Sequence, residues 1–180
     1  MKRILFVLLL LMLCLSAVFA ANNIVSVDIY PFSVQLIDNY GWGNKYSSSL
    51  GWGAKAGYRY HVGKYLLGCD LIYNGYTYKE YTHGAIAEYK LVPKVGGKVV
   101  LSDELEINFD FGVGIEVDVS TVVDPNPVVA GSVSMAIALG PGSAITAGFD
   151  AFYSFQKTAD TSFQSRTWSI SPSIGAEYNF

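Results

Sequence analysis

The chain has 180 residues, twelve of them basic and fifteen acidic, with a formal charge of −3. That balance excludes a basic nucleic-acid binder, and two cysteines exclude a disulfide-stapled scaffold. About half the residues are hydrophobic and only 15% are charged, yet beyond the first twenty no apolar run is long enough for a membrane-spanning helix. An apolar surface of that size needs another way to be covered, and a closed barrel of alternating strands is the other solution.

Residues 1–20 read as a secretory signal peptide, exported by the Sec route and cleaved after Ala20. Lys2 and Arg3 form its basic start, Ile4 to Leu15 its apolar run, and Ser16-Ala17-Val18-Phe19-Ala20 its small-residue end. Cys14 is preceded by Leu13, which does not suit a lipoprotein site. Residues 21–180 then form one domain, with Cys69 as their only cysteine.

The first strand runs from Asn22 to Ile37. Val25, Val27 and Ile29 share a face; after Tyr30-Pro31 the parity flips and Phe32, Val34 and Leu36 continue it. A proline at a phase change predicts a bulge. A polar loop covers residues 38–49. In the second strand Leu50, Trp52, Ala54, Ala56, Tyr58, Tyr60 and Val62 alternate with Gly51, Gly53, Lys55, Gly57, Arg59 and His61. Gly63-Lys64 is a tight turn. The third strand carries Tyr65, Leu67, Cys69, Leu71 and Tyr73 on one face and Gly68, Asp70 and Asn74 on the other, and a second loop spans 74–83.

The fourth strand begins at Gly84 and shows Ala85, Ala87, Tyr89 and Leu91 against Glu88 and Lys90; Ser102-Asp103 is the better of two candidate turns. From Leu105 to Val119 the fifth strand places an apolar residue at every odd position. A third loop runs from Ser120 to about Val129. The sixth strand has Val133, Met135, Ile137 and Leu139 on one side, Gly140-Pro141-Gly142-Ser143 turns the chain, and the seventh carries Ile145, Ala147, Phe149, Ala151, Tyr153 and Phe155. A fourth loop spans 157–165. The eighth strand, Arg166 to Phe180, alternates Trp168, Ile170, Pro172, Ile174, Ala176, Tyr178 and Phe180 with small or polar residues.

Side chains on a strand alternate between faces, so the pattern predicts an all-β fold, an eight-stranded antiparallel up-and-down transmembrane barrel with long loops at one end and short turns at the other. A soluble lipocalin-like barrel is the competing solution. It would need a Lys- and Glu-rich exterior, whereas the polar face here is mostly Gly, Ser and Asn, and eight strands enclose too little room for the bulky face. Trp52, Tyr73, Tyr153 and Trp168 near the long loops, with Tyr58, Tyr60, Tyr65, Tyr178 and Phe180 near the short turns, fit two interfacial girdles.

The last strand resembles the closing strand of bacterial outer-membrane barrels, where a terminal aromatic with alternating apolar residues before it is the assembly signal. Here Tyr178 and Phe180 take those positions. Taken whole, residues 21–180 resemble the small OmpA/OmpX-type barrels. The resemblance implies an integral outer-membrane protein of a diderm bacterium with a structural or adhesin-like role, surrounded by lipid, inserted by the barrel assembly machinery, and monomeric. A narrow OmpW-like channel is the alternative, and a lipid-modifying enzyme comes third.

The inward set includes Lys55, Arg59, Asp70, Glu88, Lys90, Lys94, Glu106, Asp110, Glu116 and Asp150. Buried charges need partners, so a cross-strand network is expected, with Arg59 near Asp70, Lys94 near Asp110 and Lys90 near Glu116. It serves either as a static plug or as a gate whose pairs exchange; a narrow barrel favours the plug. No catalytic, metal or cofactor site is expected. His61 and His83 lack the neighbouring serine of lipid A deacylases, His83 on a loop is the only link to the palmitoyltransferase group, and Glu116, Asp118 and Asp124 lack a calcium-loop pattern. Tyr40, Trp42, Tyr46, Tyr76, Tyr78 and Tyr81 are loop aromatics suited to contacting an extracellular ligand or host surface.

Overall fold

The computed structural model describes residues 23–40, 45–62, 65–77, 85–119, 125–157 and 164–180. Eight strands follow one another in chain order: β1 (Asn23–Tyr40), β2 (Lys45–Val62), β3 (Tyr65–Thr77), β4 (Ala85–Val100), β5 (Leu105–Asp118), β6 (Asn126–Gly140), β7 (Ser143–Lys157) and β8 (Gln164–Asn179). Each pairs antiparallel with its sequence neighbours, and β1 pairs with β8, closing the barrel. The closure ends on a reciprocal backbone pair: Asn23 N–H donates to Phe180 O at 3.1 Å, and Phe180 N–H to Asn23 O at 3.0 Å.

The period-two pattern sets which side faces out. The apolar set is exposed on every strand, from Val25, Val27 and Ile29 through Phe109, Phe111 and Val113 to Ile170, Ile174 and Tyr178, while Asp28, Lys55, Asp70, Lys90 and Asp150 are buried. A water-soluble fold buries the first group and exposes the second. This surface is suited to oil. On it, Trp52, Tyr73 and Tyr89 form a chain of rings with centroids 5.3 Å apart at each step, and Tyr153 packs on Trp168 at 4.2 Å, both toward the long-loop end.

A register shift lies in the β1–β2 ladder between Tyr30 and Ser33, at Pro31-Phe32, and the β1–β8 ladder shifts between Ile29 and Val34. The extra residue restores parity, so Phe32 and Val34 face out while Tyr30 and Ser33 face in. Pro172 of β8 lies in the same interrupted stretch, where a residue without an N–H is tolerated. Side chains bridge the gap from inside: Ser33 Oγ is 2.6 Å from Ser171 Oγ and 2.9 Å from Tyr76 OH.

The strand ends at the long loops differ from the alternation-based expectation. The strands extend into all four long loops: β1 runs to Tyr40 and β2 begins at Lys45, β3 runs to Thr77, β6 begins at Asn126 and β8 begins at Gln164. Ser49, Asn74 and Asn126 there are buried in the lumen, so their polarity marked an inward face rather than a loop. Tyr76, expected in a loop, is fully buried inside the barrel. Its ring occupies the space left by Gly51 on β2, where a Cβ would lie 2.5 Å from Tyr76 Cδ1. The β4–β5 turn is residues 101–104, held by Leu101 N–H and Ser102 N–H donating to Leu105 O at 2.9 and 3.1 Å. In the β6–β7 turn Gly142 has φ of 78° after Pro141, the combination a type II turn requires.

Candidate functional site: the layered lumen

Inward positions stack into layers along the barrel axis. Nearest the short turns, Lys98 Nζ meets Glu106 Oε2 at 2.9 Å. The next layer is a continuous chain of ion pairs. Asp28 meets Lys55 at 3.4 Å and Lys55 meets Asp150 at 2.9 Å; Lys94 lies 3.5 Å from Asp150 and 2.7 Å from Asp70. Arg59 is 3.4 Å from Asp70 and 2.8 Å from Asp110. Hydroxyls take up the remaining lone pairs: Thr146 donates to Asp28 at 2.8 Å and Ser132 to Asp110 at 3.2 Å. The layer spans six of the eight strands, and its three cations face four carboxylates.

One inward position further toward the long loops on β1, β3, β4 and β7 stand Tyr30, Ile72, Val92 and Phe152. With Val128 and Ala130 of β6 they form a buried apolar cluster. Tyr30 and Phe152 meet edge to face at 6.5 Å. Lys55 Nζ lies 5.9 Å from the Tyr30 ring and Lys90 Nζ 5.4 Å from the Phe152 ring. Each side of the apolar layer is thus faced by an ammonium over an aromatic ring.

Beyond it lies a second charged group. Lys90 is 2.6 Å from Glu88 and 3.1 Å from Glu116, with all three side chains 1% exposed. Gln35 Nε2 donates to Glu88 at 2.8 Å, and Ser49 Oγ donates to Gln35. Among the described residues one cation, Lys90, pairs with both carboxylates here.

Glycines make room for these long side chains across the ladder. Asp70 is opposite Gly57, Asp110 opposite Gly96, Asp28 opposite Gly175, and Lys94 opposite Gly68 and Gly112. This spacing decides the partners. Lys94 does not take Asp110, the pairing that strand adjacency suggests; it reaches Asp70 and Asp150, and Asp110 is held by Arg59 from across the lumen. Arg59 lies beside Asp70, and Lys90 beside Glu116.

Asp28, Lys98, Tyr30, Phe152 and Glu177 also line the lumen and were not singled out from sequence. Asp28 follows the same alternation between Val27 and Ile29. Tyr30 and Phe152 carry no polar signal. Tyr178 and Phe180 point outward with rings stacked at 6.3 Å. Tyr40 ends β1 opposite Gln164. Trp42, Tyr78 and the signal-peptide segment lie outside the described residues.

No family model matches the chain, and no curated protein matches its sequence. Solved structures do match its fold. Neisserial surface protein A (NspA) aligns with a TM-score of 0.63 at 11% identity, over 88% of this chain and 97% of that one. The outer membrane protein OprG from Pseudomonas aeruginosa aligns at 0.52 and 9% identity, over 89% and 97%. At such identities the likeness concerns the fold alone, a small closed barrel of the outer-membrane kind.

Proposed function

We propose that the mature chain is an integral outer-membrane barrel whose interior is a fixed plug, and that its role is structural or one of surface contact. The apolar layer between two charged layers carries this reading. A solute crossing the lumen would have to displace Tyr30, Ile72, Val92, Val128 and Phe152 and to part lysines from carboxylates on both sides. Eight strands leave a lumen that side chains fill, and burial of the ion pairs makes their separation costly.

What remains for contact is the exterior, the mouths and the loops. The exterior faces lipid. The loop aromatics Trp42 and Tyr78 are the residues proposed to meet an extracellular ligand or host surface; the name of the structurally similar Neisserial protein places that protein at a surface too. Residues 1–20 would direct export, and Tyr178 with Phe180 would be read by the assembly machinery.

Planar-bilayer recording on the purified mature chain tests the plug: silence across voltages is expected, and stable conductance steps of reproducible size would overturn it. For the contact role, Trp42→Ala with Tyr78→Ala should weaken attachment to a host or matrix component while leaving heat-modifiable gel migration unchanged. Attachment equal to wild type removes these two residues from the role.

A further inference from the structure

The plug does not fill the short-turn mouth. A recess of about 380 Å³ opens there, with Val100, Leu105, Ala138 and Ala144 as an apolar wall, Asp103 and Glu104 at the exposed turn and Glu106 and Glu177 further in as its carboxylates. Lys98 neutralises Glu106. Nothing comparable neutralises Glu177. It is only 9% exposed, and it also lines a smaller inner cavity of about 20 Å³ together with Arg59 and Asn108. Among the described residues Glu177 makes no hydrogen bond and no ion pair. The charges that reach it are Glu106 and Asp28, which repel it, and Arg59 and Lys98, which attract it. Both cations are already committed, Arg59 to Asp70 and Asp110 and Lys98 to Glu106.

A carboxylate largely shielded from water and without a close counter-charge is disfavoured, and a cation supplied from outside relieves it. We propose that this recess binds a protonated primary amine on a short apolar chain, its ammonium against Glu177 and its methylenes along Val100, Leu105, Ala138 and Ala144. The chemistry is that of a free polyamine or of a lysine side chain. A metal ion suits the recess less well: no group of three His, Cys, Asp or Glu side chains stands close enough to hold one among the described residues, and half of the lining residues carry no side-chain oxygen. In an outer-membrane barrel the short turns face the periplasm, so the amine would arrive from that side. Only this address rests on the proposed placement; the binding itself rests on the recess.

The test uses the mature chain refolded in a neutral maltoside detergent, titrated calorimetrically with 1,5-diaminopentane, N-acetyl-lysine methylamide, pentanol and Mg²⁺. Saturable binding of at least one amine, with pentanol and Mg²⁺ inert, supports the site. The diamine binding alone points to a free polyamine, the lysine amide alone to a polypeptide, and both to the shared chemistry. Glu177→Gln should weaken binding about tenfold, the loss of one charge-assisted hydrogen bond. Ala138→Trp, which fills the recess without removing a charge, should abolish it in a barrel of unchanged gel migration. No binding by either amine, equal binding by Mg²⁺, or undiminished binding by both variants would overturn the proposal.

Discussion

Replacing Lys90 with Met removes the only cation that, among the described residues, pairs with Glu88 and Glu116, while keeping the length of the side chain. At an effective permittivity of about 20, the 2.6 Å and 3.1 Å contacts are worth gross attractions of about 6 and about 5 kcal/mol. The net loss is smaller, because the lysine no longer has to be desolvated and the carboxylates can neutralise themselves by taking up a proton. Proton uptake sets the ceiling: holding one glutamate neutral costs about 1.4 kcal/mol per pH unit above about 4.3, or about 3.7 kcal/mol at pH 7. That agrees with the roughly 3–5 kcal/mol found when one partner of a buried pair is removed. The sign follows. A group that must be protonated to stay folded loses stability as pH rises above its unfolded value, so the penalty of Lys90→Met falls to about 1 kcal/mol at pH 5. Urea unfolding in micelles, followed by the fluorescence of Trp52 and Trp168, measures this at both pH values. Adding Glu88→Gln and Glu116→Gln should recover most of the loss at pH 7 and abolish its pH dependence. A penalty below about 1 kcal/mol at pH 7, or one that does not shrink on acidification, would refute the view that Lys90 is an obligatory counter-charge.

Val133→Lys places a charge on the exterior between Phe109 and Phe149; in a bilayer it should cost roughly 2–4 kcal/mol, measured by unfolding from lipid vesicles, whereas a water-facing position would tolerate it. Phe152→Ala opens a cavity in the apolar layer and removes the contacts with Tyr30 and Lys90, for a loss of about 3–5 kcal/mol in the same assay. Deleting Phe180 should leave refolding into detergent largely intact but lower the amount of barrel recovered from cell outer membranes several-fold, read by heat-modifiable gel migration; equal recovery would remove Phe180 from assembly.

The exterior was legible because the outward strand positions, apart from Thr77 and Arg166 at the long-loop end, obey one rule, and a slip of a single residue would turn the whole apolar face inward. Even the bulge at Pro31-Phe32 could be read, since parity breaks there and the break falls on a proline. The interior obeys no such single rule. Tyr76 looked like a loop residue because it follows Asn74 and Gly75, yet it fills the space over Gly51. Phe152, Ile72, Val92 and Val128 look like ordinary strand hydrophobics, and only the closed register shows that they meet at one level. The exchange of partners between Lys94 and Arg59 depends on reach across the lumen and over Gly96 and Gly112, which no pairing along one hairpin encodes. Glu177 read as one polar residue of a polar face; its lack of a partner emerges only when the charges of six other strands are in place.

The layering also bears on why the lumen carries so much charge. If filling space were the whole requirement, apolar side chains throughout would do it, and buried ion pairs are often no more stabilising than hydrophobic replacements. A barrel apolar inside and out, however, has no preferred face. Shifting any strand by one residue would cost little, since both faces would satisfy lipid and core alike. Lys55, Lys90 and Lys94 remove that degeneracy, because a slip would carry each ammonium into the bilayer and leave carboxylates behind without counter-charges. The apolar layer fits the same logic: it lies where charged layers on both sides already fix register, so Tyr30, Ile72, Val92 and Phe152 can pack there without making either face ambiguous.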